Sequence, residues 1–134
     1  MAPHASGPFD VKLTPQAGDA PAVGAALGRM SIDKRFHGDL DATSVGEMIS
    51  AMTAMKGSAA YSAIERVSGA LHGRAGTFAL QHTGIMNRGV PHLTITVVPD
   101  SGTGELAGLS GTMGIRIEGP LHAYTFDYSL EALP

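Results

Sequence analysis

Glu65 and His82 are the residues whose types and placement best suit chemistry in this chain. Each lies on the apolar parity of a run that alternates apolar and polar residues with period two. The run from Ala60 to Leu71 keeps Tyr61, Ala63, Glu65, Val67, Gly69 and Leu71 on one face. The run from Gly76 to Met86 keeps Phe78, Leu80 and His82 on one face. A four-residue loop, His72-Gly-Arg-Ala75, pairs Leu71 with Gly76, and so sets Val67 opposite Leu80 and Glu65 opposite His82. A carboxylate facing an imidazole is a proton-handling pair, each group changing the other's affinity for a proton. The structural alternative puts Glu65 on an arginine and makes His82 a hydrogen-bonded core histidine. A slip of one residue would send His82 to the other face, so the pair depends on the register.

Tyr61, Tyr124 and Tyr128 offer hydroxyls to the polar end of a ligand, and Phe78, Leu93 and Phe126 offer it an apolar wall. Ordinary core packing accounts for the same six residues. Met48, Met52 and Met55 fit either an adaptable ligand wall or core filling. Asp39, Asp100, Glu105 and Asp127 are the other carboxylates that motif or alternation singles out. A paired-carboxylate hydrolase needs two carboxylates sharing a proton, which their spacing does not show, and Asp39 and Asp100 sit in turn contexts.

The six histidines form no HxH or HxxxH pair, so no metal site is expected. Ser101 lacks the glycine two residues before it that a nucleophile elbow requires. Gly102-Thr-Gly104 lacks the Lys-Ser/Thr of a phosphate loop. No cofactor is expected.

The elements that must position these residues read as strands. Phe9–Thr14 alternates, Pro15–Gly28 reads as a loop, and Arg29–Phe36 alternates again, with Met30, Ile32, Lys34 and Phe36 on one parity. His37-Gly-Asp39 is a turn. In the segment 44–55, Val45, Met48, Ile49, Met52 and Met55 fall at helical spacing behind a Ser44/Glu47 capping box, so in isolation it reads as a helix. His92–Val98, Thr112–Ile117 and His122–Leu130 have β character, the last with His122, Tyr124, Phe126 and Tyr128 on one side. Between them lies the glycine-rich run Val98–Gly111. Roughly seven to eight strands with regular turns suit an all-β closed antiparallel barrel or a sandwich. The barrel is preferred because closure removes edges.

At 134 residues, 43% of them apolar and 16% charged, the chain suits one globular domain. The expected organisation is a flexible leader over 1–7 and a barrel domain over 8–134. A net charge of −3 with scattered Lys and Arg argues against nucleic acid as a partner. The lack of cysteine excludes disulfides and thiolate chemistry. Neither a signal peptide nor a bilayer-spanning run is evident, so a cytoplasmic location without membrane contact is expected.

Four stretches, Phe36–Leu40, Ile64–Arg74, Gly76–Gly84 and Val97–Gly111, occur in the order and spacing of a bacterial domain-of-unknown-function family, number 3224. The chain resembles that family and, through its last glycine run, the allene oxide cyclase-like (dirigent-like) barrel superfamily. The resemblance implies a small barrel with a central cavity, a homo-oligomer, and a strand rather than a helix over 44–55. It implies no settled activity; the leading expectation is a barrel that binds a compact, largely apolar molecule in its lumen and acts without a cofactor in an isomerase- or cyclase-like way. The alternatives are a carboxylate-dependent, aspartic peptidase-like or self-cleaving activity, and a non-catalytic oligomeric scaffold.

Overall fold

The computed structural model describes residues 3–16 and 24–130. Its strands are β1 (His4–Pro15), β2 (Ala26–Phe36), β3 (Leu40–Met52), β4 (Ala59–Leu71), β5 (Arg74–Asn87), β6 (Val90–Val97), β7 (Leu109–Glu118) and β8 (Leu121–Leu130). Every neighbouring pair is antiparallel, and β1 closes on β8, giving an eight-stranded barrel in sequence order. The only helical element among the described residues is a 3-10 turn at Gly104–Leu106.

Several sequence expectations need correction. His4–Gly7, expected in a flexible leader, are strand residues that pair with Asp127–Tyr124 and close the barrel. The expected loop over 15–28 is shorter at both ends, because Pro15 pairs with Met30 and Ala26–Gly28 pair with Met52–Ser50; residues 17–23 lie outside the described part. The segment 44–55 is strand up to Met52. The helical spacing of its apolar residues splits between two faces, with Val45 and Ile49 outward and Met48 and Met52 on the lumenal parity. Pairing along both edges, to β2 and to β4, outweighs the local helix signal.

The β4–β5 turn is also tighter than expected. His72 and Gly73 alone form it, both at positive φ (47° and 82°), the requirement of a two-residue hairpin turn whose twist matches its strands. Leu71 therefore pairs with Arg74, Val67 with Phe78, Glu65 with Leu80 and Ala63 with His82. The shift is by two residues, so every side chain keeps its face.

The two ends of the barrel differ. The end carrying the β2–β3, β4–β5 and β6–β7 connections is sealed. Phe36, Leu40, Leu71, Val97, Leu106, Leu109 and Phe126 are all buried there, and the 3-10 turn lays Leu106 across the opening. This turn is the glycine-rich run. A Cβ at Gly76 would stand 2.0 Å from the Thr103 carbonyl oxygen, so the loop can fold onto β5 only over a glycine. At the other end, side chains on the lumenal parity are uncovered: Leu13, Met52, Met86, Leu93 and Ile117 range from 42% to 63% exposed.

Candidate functional site

Glu65 projects from β4 into the middle of the lumen and is completely buried. Its Oε1 accepts from the Ser44 hydroxyl at 2.8 Å, and its Oε2 accepts from Lys34 Nζ at 2.8 Å. His82 Nε2 lies 2.5 Å from the same Oε2. These partners come from β2, β3 and β5, so four strands converge on one carboxylate. A Cβ at Gly46, whose register partner is Glu65, would lie 2.8 Å from the Glu65 Cβ and 2.3 Å from the Ile64 carbonyl oxygen. Glycine there leaves room for the carboxylate's backbone.

Burial by itself would raise the Glu65 carboxyl. The hydrogen bond from His82 and the charge and hydrogen bond of Lys34 outweigh it and hold the group at about 2. Glu65 is therefore an anion that accepts three hydrogen bonds, and the bond from His82 fixes a proton on Nε2. The Lys34 ammonium also stands 5.3 Å from the Phe9 ring centroid and 5.7 Å from that of Phe36, adding cation–π attraction.

The chain of contacts continues outward. His82 Nδ1 lies 3.3 Å from the Tyr61 hydroxyl. Tyr61 is only partly buried and lies nearest the uncovered end of the barrel. Its ring packs over Gly84, its register partner, where a Cβ would come within 2.3 Å of Cε1. Leu93 is the partner of Gly84 on its other side, so Tyr61 and Leu93 flank one glycine. Burial, and after it the Glu65 charge, push the Tyr61 phenol up, so it keeps its proton at neutral pH.

The other expected ligand-wall residues are placed differently. Phe78 and Phe126 stack at 5.9 Å between centroids and, with Tyr124 and Tyr128, belong to the packed core of the sealed half. The Tyr124 hydroxyl accepts from Leu40 N–H at 2.8 Å and donates to the His37 carbonyl at 2.7 Å. The Tyr128 hydroxyl is 2.5 Å from His72 Nδ1. Both hydroxyls are committed to protein partners.

The remaining carboxylates also have local roles. Asp39 accepts from Ser6 N–H and Glu105 from Ala75 N–H, Asp127 bonds His4, and Asp100 occupies a left-handed turn position at φ 63°. The Ser101 hydroxyl accepts from Ala79 N–H. A surface recess of about 610 Å³ lies along the β1–β8 seam beside Gly7, Ile115 and Tyr124, and none of the Glu65 partners lines it.

Of the residues singled out from the sequence, the structure brings Glu65, His82 and Tyr61 into one line of contacts; Lys34, Ser44, Gly46 and Gly84, which complete it, were not singled out. The signal for Lys34 was present. It shares parity with Met30, Ile32 and Phe36, and a lysine on an apolar face needs a buried partner.

Comparison with known proteins gives a family but no activity. The pattern of the family described as "Protein of unknown function (DUF3224)" matches residues 5–128. The chain is similar to a solved protein of unknown function from that family in Shewanella oneidensis MR-1. The two share 54% identity, with a TM-score of 0.94, over 99% of this chain and 100% of that one. Among curated proteins no match is found.

Proposed function

The chain belongs to the DUF3224 family, and on that footing we propose that it binds a small, largely apolar molecule carrying one oxygen function at the uncovered end of its barrel. The Tyr61 hydroxyl meets that oxygen, and Leu93, Met48 and Met86 supply apolar wall. One observation carries this reading: the line Lys34–Glu65–His82–Tyr61 runs from the sealed core toward lumenal side chains that remain exposed. Polar groups converging below an apolar rim are the usual make-up of a small-molecule site.

The same line supports cofactor-free acid–base chemistry of the isomerase or cyclase kind. Tyr61 holds the ligand's oxygen, His82 exchanges a proton with Tyr61 through Nδ1, and the Glu65 anion steadies the imidazolium that results. Glu65 itself is too enclosed to touch a ligand. The eight-stranded antiparallel closure also supports placing the family beside the allene oxide cyclase-like barrels.

Thermal unfolding with a panel of bicyclic ketones and alcohols tests the reading. A binder present at about 100 times its Kd stabilises the fold by roughly 2.7 kcal/mol. Tyr61→Phe and Leu93→Asp should each weaken that effect about tenfold or more in concentration. If no member of the panel stabilises the protein, or if both variants respond like the parent, the reading fails.

A second reading, an oligomeric scaffold, is favoured by a different observation. Val45, Ile49 and Ile64 are diagonal neighbours on the outer face of β3 and β4, each at least half exposed. A second copy covering them would give a defined oligomer in light scattering that Ile64→Lys dissociates.

A further inference from the structure

The Tyr61 hydroxyl has one ring-nitrogen partner, His82 Nδ1, and its direction of bonding depends on that nitrogen. The carboxylate of Glu65 only accepts, so His82 keeps a proton on Nε2 in both of its charge states. The state of Nδ1 therefore decides what Tyr61 can do. When His82 is neutral, Nδ1 is an acceptor and the Tyr61 O–H donates to it, leaving only oxygen lone pairs for a ligand. When His82 is protonated, Nδ1–H donates to the Tyr61 oxygen, and the phenolic proton is turned outward.

We propose that the protonation state of His82 sets the polarity of the Tyr61 hydroxyl, so that the barrel takes acceptor-only ligands such as ketones when His82 is charged and hydroxylated ligands in either state. The proposal rests on the reading above, that Tyr61 meets the ligand.

The surroundings of His82 confine the switch to this pair. From β4 it faces Glu65 and Tyr61, and from β2 Lys34 reaches it through the shared Oε2. From β3, Ser44 acts on the other carboxylate oxygen. The register partners of His82, Ala63 on β4 and Ile95 on β6, are apolar. Glu65 stays ionised throughout the range in which a histidine titrates, so it cannot change role alongside His82. Tyr61 retains its proton through the same range, because burial and the Glu65 charge push it upward. Gly84 holds the ring against β5 and so keeps the oxygen beside Nδ1.

A matched pair of probes tests the proposal: 2-decalone, which only accepts, and 2-decalol, which donates and accepts. Neither titrates between pH 5 and 8.5. Binding of each is measured across that range, together with the ring-nitrogen chemical shifts of His82 by ¹⁵N NMR. The ketone should bind about tenfold more tightly below the His82 midpoint than above it, consistent with one neutral hydrogen bond gained. The alcohol should change by no more than about twofold. Tyr61→Phe should flatten the ketone profile while leaving the NMR titration of His82 in place.

If both probes bind and the ketone profile is flat, or its midpoint departs from that of His82, the polarity switch is overturned and the binding reading stands. If neither probe binds at any pH, the binding reading falls and the switch with it. A Tyr61→Phe protein that keeps the parent's ketone profile also overturns the switch.

Discussion

Glu65 shows why a buried ion pair is a liability when broken. Lys34 and Glu65 are 8% and 0% exposed, and each is the other's neutralising charge. Glu65→Gln leaves a buried ammonium without its counter-charge, and the expected cost is about 3–5 kcal/mol by urea unfolding. The double variant Lys34→Met with Glu65→Gln should recover most of that loss, because no uncompensated charge remains. Acid should act on the same group. Its folded carboxyl titrates at about 2, against an ordinary value of 4.5, so the unfolded chain binds the proton more readily. The contribution is complete above roughly pH 4.5 and is lost as pH falls toward 2, amounting to something on the order of 3 kcal/mol. Stability measured from pH 5 to pH 2 should fall more steeply in the parent than in Glu65→Gln. A parallel slope in the two proteins would contradict the assignment. Glu65, His82 and Tyr61 were legible because polar residues stood on an otherwise apolar parity. Lys34 followed the same rule, but a lysine flanked by Asp33 and Arg35 reads as part of a solvated stretch until its partner across the lumen is seen.

The ladders between strands are unequal, and that sets where the barrel is weakest. β3 and β4 pair along thirteen residues each, whereas β6 and β7 share only Ile95–Met113 and Thr96–Thr112. Beyond that short ladder, Val90–Thr94 and Gly114–Glu118 are paired on one edge only, to β5 and β8 respectively. Backbone groups on an edge without a ladder exchange with solvent through small local openings. Hydrogen exchange should therefore be fastest, within the strands, among the unladdered amides of 90–94 and 114–118. It should be slowest along β3, β4 and the start of β5. Uniform protection across β6 and β7 would show a tighter seam than the pairing implies. At the strongly paired side, Gly46→Ala should cost about 2 kcal/mol or more, because the added methyl meets backbone on β4 rather than a side chain that can swing away. Strand identity was legible wherever alternation was clean. It was not legible over 44–55, where residues facing opposite sides happened to fall at helical spacing, nor at the His72-Gly73 turn, where either loop length keeps the same faces.

For the whole molecule, closure depends on the pairing of β1 with β8. His4–Pro8 pair with Asp127–Ala123, and the Tyr128 N–H donates to the Pro3 carbonyl, so the first described residues supply one edge of the β1–β8 junction. The barrel class was legible from strand number and turn spacing, but this junction was not. His4-Ala-Ser-Gly7 has none of the β-branched residues, Phe, Tyr or Trp that mark a strand, and only its pairing with β8 makes it one. The junction also covers the core, since Ala5 is fully buried and Phe9 follows it onto Phe36. Deleting residues 1–8 should expose the outer edge of β8 and uncover the core beside Tyr124 and Phe126. Five register pairs would be lost from a fold whose other contacts are nearly all between sequential strands. The expected result is a fall in Tm of more than about 10 °C, well beyond the roughly 2–8 °C that a single kcal/mol gives across domains smaller and larger than this one. An open β8 edge should also drive concentration-dependent association, visible in light scattering. A truncated protein that stayed monodisperse with an unchanged Tm would mean that the barrel holds without the His4–Pro8 part of β1 that closes it onto β8. In that case the first residues would be the leader that their composition suggests.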